Sequence, residues 1–504
     1  MTTEALGPGV PTPPIALAGP AADAGVHLSA AAVPLDDGFV DRLRSACGDV
    51  TTDAAALAEA GRDWWPLAMV WARANEVPAR GAAIARPGSA DEVAAVLRLC
   101  NEARVPVTAS AGRSGVCGAA IPVFGGVVLD MCGMAGIVDV DDDSLLVDVL
   151  PGTFGDHFEH DLRGAHGLTV GHWPQSMALS TVGGWVACRG AGQYSNRYGK
   201  IEDIVVGLEV VLADGTVITT GGGAPRAAVG PDLNQVFVGS EGTLGIVTRA
   251  RLRAHPVPTE ERRGAWAFPS FEDGLEACRR ILRRGATPAV LRLYDHRESK
   301  RNFDIEDRHA LIVLDEGDGA IVDATMAIVA QECATGESLD ASLVERWLGH
   351  RNDVSGLESA ISRDVVVDTT EVAGRWAVLA ALYRDAVAAV KAVEGTWVVS
   401  AHQSHAYTDG ACLYFTFAGQ PTESADASDY YRRAWDAVSE TTLRHGGALS
   451  HHHGIGLNRS RFVAEALGAG FGTLVALKNA LDPNGILNPG KLGLPSPFGP
   501  PPWP

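Results

Sequence analysis

The chain has 504 residues, 46% of them hydrophobic and 20% charged, with a formal net charge of −20 at pH 7. This composition is typical of a globular protein of two or three domains, and the negative charge argues against a nucleic-acid groove or an anionic membrane surface as the main partner. An anionic substrate would therefore need a local cluster of arginines.

The eight cysteines stand singly, without a CxxC pair or metal-ligand spacing, so we expect reduced thiols and a cytoplasmic protein. Residues 1–35 are rich in Pro, Ala and Gly and lack the basic start and apolar stretch of a signal peptide, which predicts a disordered N-terminal tail. No uninterrupted apolar run approaches the roughly 18 residues of a membrane span.

Residues 36–80 have a helical pattern whose apolar face is rich in Trp. From Ala85 the chain predicts a βαβ unit, with Pro87 ending a short strand and Ser89 as the N-cap of the helix that follows. Residues 127–151 alternate as short strands, which suggests an antiparallel set. Residues 204–220 predict a β-hairpin with Asp214 and Gly215 at its turn.

Three glycine-rich turns follow strand-like runs, over Val105–Ala120, Trp173–Gly199 and Val236–Thr248. Gly183 and Gly184 lack a Cβ, so their backbone can adopt positive φ, approach a ligand and offer N–H groups to a pyrophosphate. No Gly-Lys-Ser/Thr follows any of them, and no dinucleotide fingerprint follows a strand. Three such turns in one half of the chain predict a large, extended cofactor that carries phosphate.

Residues 257–446 alternate long helices with isolated strands, which predicts an α+β cap over the cofactor. The strands are expected at Val290–Tyr294, Ala310–Leu314, Thr396–Ala401 and Ala411–Phe417, and the helices at Glu272–Arg284, Ala320–Gln331, Trp376–Val393 and Tyr430–His445. Residues 447–504 include LDPNGILNPGKLG, where Pro and Gly exclude a regular element.

Histidines are the most unusual candidates for chemistry. His451, His452 and His453 are adjacent, so they cannot all point one way, and a three-His metal site on this run is disfavoured against general bases or a solvated run. His402 and His405 form an HxxH just after a predicted strand, where residues three apart point to opposite faces. Metal binding by that pair is kept as an alternative, and we assign no metal ligand.

Two arginines and a tyrosine interrupt apolar runs. Each of Arg292 and Arg363 either forms a structural ion pair or binds an anion through two N–H groups of its guanidinium. Tyr414 lies in a strand whose alternation also allows a core aromatic residue.

The runs STVGGWVACRGAGQYSNRYGKIEDIVVGLEVVLADG, from Ser180, and GSEGTLGIVTRA, from Gly239, resemble the FAD-binding half of the vanillyl-alcohol oxidase and p-cresol methylhydroxylase family. The resemblance extends from about Pro87 to the region of Lys491. Within the family the chain is most similar to the alkylglycerone-phosphate (alkyl-dihydroxyacetonephosphate) synthases.

This resemblance implies an α+β fold, with a two-part FAD domain of the p-cresol methylhydroxylase type at residues 36–256, an antiparallel-sheet cap at 257–446, and a segment at 447–504 that returns to the FAD domain. It implies FAD, held without a covalent bond because AGRSGVCG has no His for a tether, although Cys117 offers an alternative nucleophile. The expected cofactor-binding residues are Ala111, Gly112, Arg113, Ser114, Gly115, Ser180, Thr181, Gly183, Gly184, Glu241, Gly242, Gly245 and Ile246.

The resemblance also implies a reaction. Acyl-dihydroxyacetone phosphate would form an adduct on flavin N5, lose its fatty acid and receive a fatty alcohol, with Arg292 and Arg363 holding phosphate and Tyr414, His452 and His453 moving protons. An oxidoreductase of a 2-hydroxy acid such as D-lactate or glycolate is the alternative, although its usual acidic residue is here His452. A non-catalytic protein that kept the fold is a third hypothesis. The expected partners are a small anionic substrate, a lipid surface that gives access to it, and a second copy in a homodimer, with no nucleic acid.

Overall fold

The computed structural model describes residues 6–421 and 426–503, which form helices and mainly antiparallel sheets in an α+β arrangement. The helices are α1 Asp37–Ala46, α2 Ala54–Ala60, α3 Pro66–Ala72, α4 Ala90–Ala103, α5 Gly155–His166, α6 Val182–Cys188, α7 Ser195–Tyr198, α8 Ile201–Ile204, α9 Asn234–Phe237, α10 Phe271–Arg283, α11 His296–Phe303, α12 Gly319–Glu332, α13 Ser342–His350, α14 Ser355–Ile361, α15 Trp376–Lys391, α16 Ala427–Arg444, α17 Val463–Leu467 and α18 Phe471–Leu481.

The strands are β1 Gly25–Val26, β2 Val50–Thr51, β3 Glu76–Val77, β4 Ala83–Ala85, β5 Val107–Ser110, β6 Val127–Asp130, β7 Ile137–Asp141, β8 Leu146–Val149, β9 Leu168–Thr169, β10 Val205–Val211, β11 Val217–Thr219, β12 Ile246–Arg253, β13 His255–Pro256, β14 Glu260–Phe268, β15 Val290–Tyr294, β16 His309–Gly317, β17 Glu337–Leu339, β18 Val366–Arg375, β19 Thr396–Ala406 and β20 Gly410–Gly419.

The first half of the chain carries two small sheets. One has the order β2-β4-β6-β5, with β6 parallel to both β4 and β5. The predicted βαβ unit is confirmed as β4-α4-β5, and Ser89 caps α4 by accepting a hydrogen bond from the Glu92 N–H at 3.2 Å. β6 lies between the two strands of that unit, so the prediction that residues 127–151 form one antiparallel set is wrong for Val127–Asp130.

The second small sheet is antiparallel, with the order β11-β10-β12-β8-β7. The predicted hairpin is confirmed as β10 and β11, paired from Val211 with Val217, and Gly215 supplies the positive φ of 81° that its turn requires. Helices α5 and α6 contribute Phe158, Leu162, Val182 and Trp185 to the buried core beneath this sheet.

The second half carries one antiparallel sheet of seven strands, with the order β17-β14-β16-β15-β19-β20-β18. The four predicted strands are confirmed within it, but β14 and β18 were not predicted, because both mix charged residues with apolar ones. Helices α10, α15 and α16 share a buried core with this sheet. The chain returns to the first half near its end, where Asn488 donates its N–H to the Val107 carbonyl at 2.8 Å.

The N-terminal segment is not a disordered tail. Over residues 6–35, Ile15, Ala24 and Leu28 are buried, and β1 pairs in parallel with β3. Arg62 donates to the Ile15 carbonyl at 2.5 Å, and Trp64 Nε1 donates to the Thr12 carbonyl at 2.9 Å. Its apolar side chains therefore pack on the body of the protein, while residues 1–5 of the predicted tail lie outside the described residues.

One helical stretch, Ser460–Leu481, is long and apolar enough by length and composition to cross a membrane, although the sequence showed no uninterrupted apolar run of that length. The backbone breaks at Gly468, with φ 52° and ψ −132°. Near the end of the stretch Lys478 is buried and donates to Asp482 at 2.6 Å and to the Thr243 carbonyl at 2.8 Å. These bonds attach the end of the stretch to the FAD-binding half.

Candidate active site

A cavity of about 940 Å³ lies where the two small sheets meet the seven-stranded sheet. All three glycine-rich turns line it from the first half, and β15, β19, β20, His452 and His453 line it from the second. Every residue predicted to bind the cofactor contributes to this lining: Ala111, Gly112, Arg113, Ser114, Gly115, Ser180, Thr181, Gly183, Gly184, Glu241, Gly242, Gly245 and Ile246.

The glycines of the first two turns are required mainly by close packing of the chain. A Cβ on Gly112 would lie 2.2 Å from the Leu179 carbonyl oxygen, and one on Gly183 would lie 2.6 Å from Pro151 Cβ. Gly183 and Gly184 lie in the first turn of α6 with negative φ, so the expectation of positive φ there is wrong. Their N–H groups have partners within the protein, because Gly183 donates to the Pro151 carbonyl at 2.8 Å and Gly184 donates to Thr181 Oγ1 at 3.4 Å.

The third turn has left-handed backbone at Glu241 and Gly242, with φ 50° and 70°, as the second turn has at Arg189, with φ 58°. The Glu241 carboxylate accepts the N–H groups of Ile455 and Gly456 at 2.6 and 2.9 Å. Glu241 therefore faces the cavity through its backbone, while its side chain fixes the segment that follows the three histidines. Asn488 donates to the Glu241 carbonyl at 2.7 Å and so links this turn to the C-terminal segment.

Several buried polar atoms on the cavity wall have no partner among the described residues. They are Ser110 Oγ, Ser404 Oγ and both ring nitrogens of His172, which is 1% exposed. Burial lowers the pKa of His172 to about 3, so its ring is neutral. Buried polar groups are normally hydrogen-bonded. Unpartnered side-chain atoms on the wall of a cavity lined by three glycine-rich turns therefore fit a large polar cofactor such as FAD.

Arg292 is fixed inside the cavity by a chain of side chains. Its Nη2 lies 2.8 Å from His402 Nε2, and His402 Nδ1 lies 2.8 Å from Glu298 Oε2. Arginine only donates, so His402 Nε2 accepts and its Nδ1 carries the proton that it gives to Glu298. Burial lowers the pKa of His402, in agreement with a neutral ring. The guanidinium is thus oriented for an anion in the cavity.

Tyr414 and His453 form a second pair on the cavity wall. The Tyr414 hydroxyl lies 3.1 Å from His453 Nε2 and accepts from Thr369 Oγ1 at 3.2 Å, so its own proton points to His453. His453 Nδ1 lies 3.8 Å from Glu371 Oε1. Burial lowers the pKa of His453 to about 4, and burial also raises the pKa of Tyr414 well above its usual value. At neutral pH both groups are uncharged, with His453 placed to take the hydroxyl proton.

The prediction that His402 and His405 point to opposite faces is wrong. Strand β19 continues through both residues, and its pairing with β20 shifts between Gln403 and Ala406, so both side chains line the cavity. His405, His451 and His452 each place a ring nitrogen within 4.8 Å of the others. The His405 and His451 rings are stacked at 4.8 Å with 21° between their planes, so their lone pairs run side by side and do not converge on one ion.

The structure does not bring the two predicted arginines together. Arg363 is exposed and does not line the cavity. It lies in the connection between α14 and β18, and β18 begins only at Val366. Arg301, Arg346 and Arg351 line the cavity with Arg292 instead. They lie on or just after helices α11 and α13, whose solvated charges gave no signal of an inward role in the sequence.

Sequence reasoning also missed Glu371, the buried carboxylate behind the three histidines. It accepts the His453 N–H at 2.9 Å and the Ser450 hydroxyl at 2.8 Å, and it also accepts the His451 N–H. Burial opposes its ionisation, but Arg459 and the neighbouring histidines hold its pKa well below the usual value. A lone Glu in the mainly apolar run VVVDTTEVAG was the available signal.

Comparison with known proteins agrees with this site. Residues 81–221 match the family described as FAD binding domain, and residues 257–492 match the one described as FAD linked oxidases, C-terminal domain. An uncharacterized FAD-linked oxidoreductase, YgcU, of Escherichia coli O157:H7 is 32% identical over 436 residues, covering 82% of this chain and 88% of that one.

Two further relatives are named for an enzymatic activity. Alkyldihydroxyacetonephosphate synthase of Dictyostelium discoideum is 29% identical over 449 residues, covering 81% of this chain and 72% of that one. Glycolate oxidase subunit GlcD of Bacillus subtilis is 27% identical over 429 residues, covering 81% and 88%.

Solved structures share the architecture. An alkyldihydroxyacetonephosphate synthase superposes with a TM-score of 0.74 at 25% identity, covering 92% of this chain and 86% of that one. p-Cresol methylhydroxylase superposes with a TM-score of 0.73 at 19% identity over 92% of this chain and 99% of that one, a likeness of fold alone.

Proposed function

The chain belongs to the FAD-linked oxidoreductases, and on that premise we propose that it exchanges the acyl group of an acyl-dihydroxyacetone phosphate for a fatty alcohol. One observation carries the proposal: Arg292, held by His402, and Tyr414, bonded to His453, face the same cavity as the three cofactor-binding turns. The flavin, when bound, supplies a centre that accepts an electron pair from the reacting carbon.

The positive charge of the cavity supports a phosphate. Arg301, Arg346 and Arg351 line it together with Arg292, in a protein whose net charge is −20. Arg351 also lies over the rings of Trp347 and Tyr194, at 5.8 and 5.2 Å, which restrains its guanidinium. A dianionic phosphate matches several guanidinium groups better than a single carboxylate does.

Apolar residues support a fatty chain. Trp64, Val116, Leu179, Val354, Leu357 and Val367 line the cavity and pack with one buried cluster. An alkyl chain in contact with these residues would gain about 0.8 kcal/mol for each methylene that leaves water. The phosphate would then lie at the arginines and the chain along this wall.

In this proposal Tyr414 and His453 transfer the proton at the reacting carbon. The tyrosine hydroxyl is positioned by Thr369, and His453 accepts its proton. When the pair takes a proton from carbon or oxygen at the Tyr414 hydroxyl, the hydroxyl's own proton passes to His453, which becomes an imidazolium with the Glu371 carboxylate 3.8 Å from its Nδ1. Arg292 orients the substrate beside this pair.

Oxidation of a 2-hydroxy acid is the second candidate. The chain of Glu298, His402 and Arg292 presents one oriented guanidinium beside a histidine, an arrangement that also suits a carboxylate with a neighbouring hydroxyl. The similarity to glycolate oxidase subunit GlcD favours the same reading.

An anaerobic experiment separates the two candidates. FAD-loaded protein receives palmitoyl-dihydroxyacetone phosphate and hexadecanol, or D-lactate or glycolate alone, and both the flavin spectrum and the products are recorded. Formation of hexadecyl-dihydroxyacetone phosphate with the flavin oxidised at the end is the expected result. Bleaching of the flavin by a hydroxy acid, with no ether product, would overturn the exchange reaction in favour of oxidation.

A further inference from the structure

Behind the cavity, five side chains form one continuous hydrogen-bonded chain. His405 Nδ1 lies 2.8 Å from Ser195 Oγ, which lies 3.2 Å from the Tyr407 hydroxyl. That hydroxyl lies 2.9 Å from His451 Nε2, and His451 Nδ1 lies 3.0 Å from His452 Nδ1. Of these five residues only His452 is predicted to move a proton in the exchange reaction, and the other four have no role in it.

The two ends differ from the middle in what they face. His405 and His452 line the cavity, whereas Ser195, Tyr407 and His451 lie behind its lining. The Nδ1 atoms of both end residues are engaged in the chain, so each has its Nε2 left for a ligand. The two end rings lie 4.9 Å apart between centroids, close enough to serve one substrate.

The chain can be fully bonded in only two ways. In one, each group donates in the direction from His405 to His452, which leaves His405 Nε2 bare and a proton on His452 Nε2. In the other, every donor is reversed, with the proton on His405 Nε2 and His452 Nε2 bare. Each neutral imidazole and each hydroxyl offers one donor and one acceptor, so both arrangements satisfy every link.

We propose that His405 and His452 are the two ends of a proton relay through Ser195, Tyr407 and His451, which takes a proton from the substrate at one ring while giving one back at the other. The O–H bond of the incoming hydroxyl breaks as an N–H bond forms on His405 Nε2. One proton moves at each link, and the N–H bond of His452 Nε2 breaks as an O–H bond forms on the carboxylate that has left the adduct and is still in the cavity. The relay is neutral before and after but ends in the reversed arrangement. Loss of the His405 Nε2 proton to water, and uptake of one from water at His452 Nε2, restores the first arrangement for the next turnover.

Burial gives the physical reason for a neutral relay. Desolvation lowers the pKa of His451 and His452 to about 3 and the pKa of His405 well below its usual value. An imidazolium at any of these positions would be costly. A relay that exchanges protons between its ends avoids that charge, which a single histidine acting as a base would have to carry.

The inference rests on the proposed exchange for its substrates, but its geometry is tested without them. In both bonded arrangements His405 and His452 carry their protons on opposite nitrogens. Nitrogen-15 NMR of histidine-labelled, FAD-loaded full-length protein at pH 7 should therefore find both rings neutral and of opposite tautomer. Equal tautomers, or a charged ring at either end, would overturn the relay whatever the enzyme's substrate proves to be.

Tyr407→Phe tests the function of the relay. The ring still stacks on His451 at 5.6 Å, and the Tyr407 backbone keeps its bonds to Gly410 and Trp376. Turnover of palmitoyl-dihydroxyacetone phosphate with hexadecanol should fall at least about 100-fold, with KM and FAD affinity unchanged, because proton transfer typically contributes that much. Ser195→Ala should have the same effect, and the double variant should be no slower, since the relay is already broken.

Tyr198→Phe is the matched control, since it removes a buried hydroxyl that bonds Glu316 at 2.7 Å outside the relay. It should retain turnover. Full turnover in Tyr407→Phe would overturn the relay, whereas absence of turnover in the unmodified enzyme would count against the proposed exchange and leave the NMR result to decide the relay.

Discussion

Nη1 of Arg459 lies 3.2 Å from Oε1 of Glu371, and both side chains are fully shielded from solvent. Glu371 also accepts backbone N–H groups from the three histidines that border the cavity. The Arg459 guanidinium stacks over Trp435 at 4.8 Å, on the side away from the cavity. A buried ion pair therefore fixes the backbone of the histidine run.

Glu371→Gln should destabilise the protein by about 3–5 kcal/mol, because it leaves the buried Arg459 charge without a partner. The free energy of unfolding in urea measures this. Asp385→Asn, which removes an exposed partner of His445, is the control and should cost less than about 0.5 kcal/mol. Equal losses of unfolding free energy in the two variants would show that the buried ion pair contributes no more to stability than the exposed one.

Acid should weaken the fold through Glu298. Burial opposes its ionisation, yet His402 and Arg301 lower its pKa to about 2, below the ordinary 4.5. A carboxyl with a depressed folded pKa stabilises the protein above its unfolded pKa, and this contribution, about 3 kcal/mol, is lost as pH falls from about 4.5 towards 2. Glu298→Gln should flatten the stability profile over that window, while Glu306→Gln, at an exposed pair with Lys300, should leave its slope unchanged.

Arg292 and Arg363 should differ in anion binding. Arg292→Met should weaken the binding of dihydroxyacetone phosphate, read from the flavin absorption band, by at least about tenfold, since a charge-assisted bond contributes about 1.5–3 kcal/mol. Arg363→Met, at an exposed position outside the cavity, should leave the dissociation constant unchanged. Flavin content should be equal in both variants. The reverse order of effects would restore Arg363 to the site.

Tyr414→Phe should reduce turnover about 100-fold with KM within about twofold, because the hydroxyl bonded to His453 is placed to move a proton. Rapid-mixing kinetics with palmitoyl-dihydroxyacetone phosphate and hexadecanol, or with D-lactate if that substrate bleaches the flavin, measures the step. Tyr430→Phe, whose hydroxyl bonds Thr396 away from the cavity, is the control. A rise in KM alone would make Tyr414 a binding residue.

Gly112→Ala should reduce FAD retention and thermal stability, because its Cβ would lie 2.2 Å from the Leu179 carbonyl oxygen and push the first two turns apart. Gly164→Ala, in α5 with no atom within 4 Å of the new Cβ, should instead stabilise by about 0.5–1 kcal/mol. FAD affinity from fluorescence titration and the melting temperature separate the two. Normal FAD affinity in Gly112→Ala would mean that the turns can separate without harm.

Local patterns predicted much of the fold. The hairpin at Asp214 and Gly215, the cap at Ser89 and the strand Val290–Tyr294 each depend on neighbouring residues, so the sequence alone located them. The prediction of a disordered N-terminal tail was wrong because it also depended on local composition alone. The Pro and Gly content carries no information about the surface on which Ile15 and Leu28 pack. β18 was missed because Asp368 and Glu371 face inward to partners far along the chain.

The sequence by itself determined the cofactor class, because each glycine-rich turn is a local motif, and the residues that it predicts to bind the cofactor all line one cavity. Only the tertiary structure decided which charged residues share the cavity. Arg363 and Arg292 look alike in the sequence, but one ends in solvent and the other is held by His402 and Glu298. The chain from His405 through Tyr407 to His452 joins residues from strand β19, helix α7, the turn before β20 and the loop after α16. Such contacts are set by packing that no local pattern encodes.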